Sequence, residues 1–287
     1  MSSPGDSTRV PTSDAEPVSP AEPVVPGSSE VPSAANGTGG TGSPRDAAYW
    51  AAQGTRLRVG AAPRNQVNNV DGRNAVGPLQ GFGKMWQKTY RVRLAGAAAT
   101  PPEVIRVWKQ EFPSFWPRGN RFYVPLTGIA PGEVAMLTVR AGGMPLSTGV
   151  LVLYADDESF TLMTPQGHMF AGWITFSAYE DAPRTADAGQ PKGEVTSTVA
   201  QAQVQMRAND PLYELGLRMG GHKQEDKFWA QTLRAVAARF GVANALVQTE
   251  VVCLDPRLRW SYARNITKNA AVRTVLLGPT RWFRRAQ

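Results

Sequence analysis

Residues 209–242 read NDPLYELGLRMGGHKQEDKFWAQTLRAVAARFGV, and this stretch decides the fold. Asp210 is a good N-cap, Pro211 suits the first helical position, and Glu214 puts a negative charge in the first turn. All three favour the positive end of a helix dipole. Leu212, Leu215 and Met219 line one face, and Gly220-Gly221 predicts a kink or break. Trp229, Leu233, Val236 and Phe240 then resume the apolar stripe, and Gly241 supplies the C-cap. The polar run His222-Lys223-Gln224-Glu225-Asp226 between the two apolar stripes reads as a solvated helix face.

What precedes this helix is rich in strands. Residues 85–94 place Trp86, Tyr90, Val92 and Leu94 on one face and Gln87, Thr89, Arg91 and Arg93 on the other, the period of a half-buried strand. Thr100-Pro101-Pro102-Glu103 has the spacing of a capping box, and Val104, Trp108 and Phe112 repeat on one face of a short helix stopped by Pro113 and Pro117. Strand-like segments follow at 121–127, 133–139, 150–154, 159–164 and 173–179, separated by turn residues. The acids Asp156, Asp157 and Glu158 sit in one such turn, where acidic residues commonly solvate a hairpin tip. A polar loop over 181–194 leads to 196–206, in which Ala200, Ala202, Val204 and Met206 alternate with glutamines. That is a strand with one wet face.

This order of elements resembles the START-like superfamily, also called SRPBCC or helix-grip. The residues that carry the resemblance are Gly167-His168-x-x-x-Gly172, Asp210-Pro211-Leu212 and the aromatics around Phe228 and Trp229. Within that superfamily the chain is most similar to an uncharacterised family of domains of unknown function, number nineteen-ninety. The likeness covers roughly residues 85–242. It implies an α+β fold in which a curved antiparallel sheet of about six to seven strands wraps a long C-terminal helix and encloses a cavity. It brings no established reaction, ligand or cofactor.

The two ends lie outside the resemblance. Residues 1–48 hold six acids, two arginines and no aromatic before Tyr49. A Pro/Ser/Gly-rich acidic segment of this kind cannot bury enough apolar surface to offset its ordering entropy, so it is expected to be disordered. Residues 49–84 read as a docking arm or linker and 243–287 as a basic extension. The last 33 residues carry eight Lys and Arg against Asp255 alone, in a chain of net charge +8. Such a tail suits an anionic membrane surface or nucleic acid through Arg257, Arg259, Arg281, Arg284 and Arg285. No stretch approaches the ~20 apolar residues needed to span a bilayer, and no signal peptide is apparent. Cys253 is alone, so the cytoplasm is the expected compartment.

Chemistry-bearing clusters are scarce. A metal site is not expected, because two separated histidines and one cysteine lack ligand spacing. Ser147, Thr148 and Ser177 have no G-x-S-x-G context. His168, in a turn beside Trp173, is the weak candidate for a general base. The expected function is therefore binding of a hydrophobic small molecule, lipid or polyketide-like, without catalysis and without a cofactor. Its cavity would be lined by Trp108, Phe112, Trp116, Phe122, Phe160, Trp173, Phe176 and Trp229. The alternatives are an enzyme of the cyclase or hydrolase type on the same scaffold, or a surface-binding module acting through the tail.

Overall fold

The computed structural model describes residues 46–52, 56–60, 67–141, 144–181 and 197–275. The chain divides into two units, Met1–Thr41 and Gly42–Gln287, and every described residue belongs to the second. The expectation of disorder over 1–48 falls outside the described residues except at 46–48, and the loop expected over 181–194 falls outside them except at Asp181.

Strand β1 (Met85–Arg93) leads into helix α1 (Pro101–Gln110), which Thr100 caps by accepting the Glu103 amide hydrogen. Strands β2 (Arg121–Tyr123), β3 (Val134–Ala141), β4 (Met144–Ala155), β5 (Ser159–Met163), β6 (Phe170–Asp181) and β7 (Ser197–Ala208) follow. The chain ends in α2 (Pro211–Gly216), α3 (His222–Arg239) and β8 (Val247–Asp255), with a short helical segment from Trp260 to Lys268. The strands form one sheet in the order β2-β3-β4-β5-β6-β7-β1-β8, and every neighbouring pair is antiparallel. Among the described residues the sheet has eight strands, where six or seven were expected. The added strand is β8, which pairs outside β1 and carries the sheet beyond the domain boundary expected at residue 242.

Side-chain alternation divides the sheet into two faces. The inner face presents Tyr90 and Val92 of β1, Ala202 and Val204 of β7, Phe176 of β6, Phe160 and Leu162 of β5, and Phe122 of β2 to helices α1 and α3. The outer face of β3 and β4 is covered by the segment before β1, where Leu57 and Val70 pack on Met136, Tyr123 and Leu151. Isolated bridges join Trp50 to Tyr154 and Ala75 to Pro165. The arrangement is α+β: an antiparallel sheet gripping a long C-terminal helix on its apolar face, which is the helix-grip fold.

Two glycines of the quoted motif owe their identity to close approach. Gly167 has φ +87, and a Cβ there would strike the Lys268 carbonyl. A Cβ on Gly172 would strike the Gln205 carbonyl of the paired strand. Both positions therefore exclude larger residues for backbone reasons.

The long helix is broken where Gly220-Gly221 predicts. Asp210 caps α2 by accepting the Leu212 and Tyr213 amide hydrogens at 2.9 and 3.1 Å. Between α2 and α3 the backbone makes a π-turn over Leu217–Gly221, and Gly220 takes φ 116. One correction follows from this break. Leu212, Leu215 and Met219 do not continue the buried stripe of α3 but point outward, Met219 being 78 % exposed. A helix whose axis changes at a left-handed residue cannot keep both halves of its apolar stripe against one sheet.

Candidate functional site

Under α1 and α3 the inner face of the sheet holds a continuous cluster of rings. Phe160 and Phe176 stack at 4.7 Å between centroids, Trp108 stands edge-on to Phe176 at 5.1 Å, and Phe112 lies 4.8 Å from Phe122. Trp116 is 5.2 Å from Phe122, and Trp229 is 5.5 Å from Phe176. Offset and edge-on pairs at these separations gain beyond the area they bury. Trp108, Phe112, Phe160 and Phe176 are fully buried; Trp116, Phe228 and Trp229 are half-buried and form one side of the cluster.

Seven of the eight expected lining residues are thus brought together, and Trp173 is not. Trp173 and Phe176 are three positions apart on β6, so alternation sends them to opposite faces. Trp173 lies on the outer face within van der Waals reach of Gly77 in the segment before β1. Phe228, absent from the expected set, joins the cluster against Trp116 at 5.1 Å. The indole N–H groups of Trp108 and Trp116 are buried with no acceptor among the described residues. Buried donors are nearly always paired, so two orphans on one cluster are unusual.

A polar cluster sits one turn earlier in α3. Lys88 falls on the inner face of β1 between Trp86 and Tyr90, and its side chain is 1 % exposed. Its Nζ lies 2.9 Å from Glu225 Oε2 and 2.7 Å from Asp226 Oδ1. Tyr90 donates its hydroxyl hydrogen to the same Asp226 oxygen at 2.7 Å. The ring of His222 meets that of Trp86 edge-on at 5.2 Å. The spacing of His222, Glu225 and Asp226 turns all three toward β1, so the run expected to be a solvated face instead buries a charge network. The period-two reading of β1 could have revealed it, because it puts Lys88 on the apolar side.

Glu225 is the frustrated member. Oε2 has an ion-pair approach to Lys88, but neither carboxyl oxygen receives a well-aligned hydrogen bond, and the residue is buried. Burial pushes its carboxyl up to about 7, and Lys88 only partly offsets that. Between about pH 4.5 and 7 the folded protein then holds a proton that the unfolded chain has released. Stability from this group is greatest at low pH and falls as pH rises through that window. Buried His168 and half-buried His222, both pushed down to about 4 by burial, act in the opposite sense up to about pH 6.5. The informative quantity is therefore a difference. Glu225→Gln should gain stability on the parent progressively from about pH 5 to 7, by about 1–3 kcal/mol in total. Denaturant unfolding at several pH values measures it, and parallel profiles for the two proteins would refute the assignment.

The remaining candidates are tied down locally. His168 Nδ1 accepts the Phe170 amide hydrogen at 3.0 Å, so its neutral ring serves as an acceptor within its own turn. Among the described residues no side chain hydrogen-bonds to it. Asp156 Oδ1 accepts the Glu158 and Ser159 amide hydrogens and closes the β4–β5 hairpin. Arg257 and Arg259 lie in the turn after β8, whereas Arg281, Arg284 and Arg285 lie outside the described residues. Among the described residues no group of three or more His, Cys, Asp or Glu side chains is placed to hold a metal, and no helix is long and apolar enough to cross a membrane.

No family model matches the chain, and no curated protein does, so the narrower likeness to family nineteen-ninety gains nothing from either. Solved structures do match. A START superfamily protein from Mycobacterium smegmatis is 20% identical with a TM-score of 0.34, over 55% of this chain and 98% of that one. Ara h 8.0201 is 10% identical with a TM-score of 0.36, over 54% and 97%. Major latex-like protein 151 from Panax ginseng is 12% identical with a TM-score of 0.33, over 55% and 99%. Likenesses at this level carry no argument about ligand or reaction.

Proposed function

We propose that the protein binds a hydrophobic small molecule, lipid or polyketide-like, between the inner face of the sheet and α3, without catalysing a reaction on it. The observation that carries this reading is the pair of orphaned indole donors on an otherwise apolar ring cluster. A guest with an apolar body and one carbonyl or hydroxyl oxygen would supply the missing acceptor and bury its remainder against rings. Ligand sites are commonly built this way, apolar walls with a few polar groups that fix orientation. Entry would be from the half-buried side, at Trp116, Phe228 and Trp229. His168, held within its turn, takes no part in this reading.

The test uses the full chain. Native mass spectrometry of protein purified from its host should show a co-purified apolar molecule, and a fluorescent apolar probe should saturate and quench tryptophan emission. Trp108→Phe keeps an aromatic side chain but removes the donor and the second ring of the indole. It should cost about 1–2 kcal/mol of stability, because the void left by the smaller ring outweighs removal of an unpaired buried donor, and weaken binding of an oxygen-bearing guest about fivefold or more. Absence of any bound molecule, together with no saturable probe binding, would refute the proposal.

A further inference from the structure

A second site lies away from the ring cluster, where β7 and β8 end. Arg207 of β7 is buried, with 1 % of its side chain exposed, and donates from Nη1 to the carbonyls of Gly83 at 2.6 Å and Arg257 at 3.0 Å. Its Nη2 reaches Asp255 Oδ2 at 2.6 Å. Asp255 also accepts from the Arg257 amide at 3.0 Å and from Arg257 Nε at 2.9 Å. These contacts hold its carboxyl well below the ordinary aspartate range. The Arg259 amide donates to the Phe82 carbonyl at 2.8 Å. The Arg259 guanidinium donates to the Leu79 carbonyl and lies 5.0 Å over the Tyr262 ring. Together Leu79, Arg207, Asp255, Arg257, Leu258 and Arg259 line a hollow of about 460 Å³.

The charges in this hollow do not balance. Three guanidinium groups face one carboxylate, and that carboxylate is already engaged by Arg207 and Arg257. Among the described residues no acceptor meets Arg257 Nη1 or Arg259 Nη2, and buried Arg207 Nε has no partner either. Two cations in excess stand around a concave space, Arg259 held by the Leu79 carbonyl and Arg257 by the Asp255 carboxylate, and an anion between them would relieve their repulsion. Guanidinium forks meet phosphate oxygens in bidentate fashion, and a dianion offsets an excess of two positive charges where a single carboxylate would not. We propose that this hollow binds a doubly charged oxyanion, a phosphate monoester group, with Arg257 and Arg259 as direct ligands and Arg207 with Asp255 holding them in place.

That group could belong to a soluble phosphate ester or to the headgroup of an anionic lipid, since exposed Leu79 and Trp260 lie close by. The test therefore has two arms on the full chain: inorganic phosphate by calorimetry at low salt, and phosphatidylcholine vesicles with and without phosphatidic acid by co-sedimentation. Arg257→Gln and Arg259→Gln, both at the surface and safe for folding, should each weaken binding about tenfold. Arg264→Gln, on the same basic segment but outside the hollow, should leave it within about twofold. Phosphate binding with this pattern identifies a soluble ester. Vesicle binding alone with the same pattern identifies a lipid headgroup, and either result supports the site. Equal weakening by all three variants would reduce the effect to diffuse charge and overturn the proposal, as would silence in both arms.

Discussion

Lys88→Ala should lower the unfolding free energy by about 3–5 kcal/mol near pH 8. Removing this lysine takes the counter-charge from buried Glu225 and half-buried Asp226 and leaves a carboxylate in an apolar setting with no donor. The deficit should shrink at lower pH, because Glu225 escapes it by taking up a proton. Adding Glu225→Leu to Lys88→Met should recover most of the loss, since a buried pair replaced by well-packed apolar side chains is often no less stable. Chemical denaturation of the single and double variants measures all of this. A Lys88→Ala cost below about 1 kcal/mol would mean that water reaches the pair and that the network is not sealed.

Phe176→Ala should cost about 3–5 kcal/mol as well, for a different reason. Phe176 touches Trp108, Phe112, Phe160 and Trp229, so truncation removes four ring contacts at once and leaves a void under α3. The same void bears on ligand binding. If the cluster admits an apolar guest, the variant should regain part of its lost stability when the fluorescent probe is added, by mass action on the folded state. A thermal melt with and without probe reads both effects. An unchanged melting temperature in the substituted protein would show that this ring is not packed as described.

Much of the architecture was legible because its signals are local. Asp210-Pro211 and Gly220-Gly221 announce a helix start and its break within a few residues. The alternation in β1 and β7 reports a wet face and a dry one wherever the partner strands lie. The Thr100 cap and the Asp156 turn likewise close on their own neighbours. The ring cluster was legible in part, since large aromatics at core-facing positions of several strands and a helix have one interior to share. Trp173 stands apart from the cluster because its parity on β6 is opposite to that of Phe176. Leu212, Leu215 and Met219 went astray because spacing along a helix does not say where the axis turns.

The local signals of the chain were enough for the α+β class, the closing helix and a dry inner face rich in rings, because these depend on periodicity and on turn and cap chemistry that neighbouring residues carry. Tertiary structure alone decided the pairing of β8 outside β1 and the meeting of Lys88 with Glu225 and Asp226. It also decided the gathering of Arg207, Arg257 and Arg259 around Asp255. Their deciding contacts join residues distant in sequence; Lys88 and Asp226 stand 138 residues apart, and Arg207 and Asp255 48. Which charges share a buried space follows from strand register and helix placement, and those are settled when the whole sheet assembles.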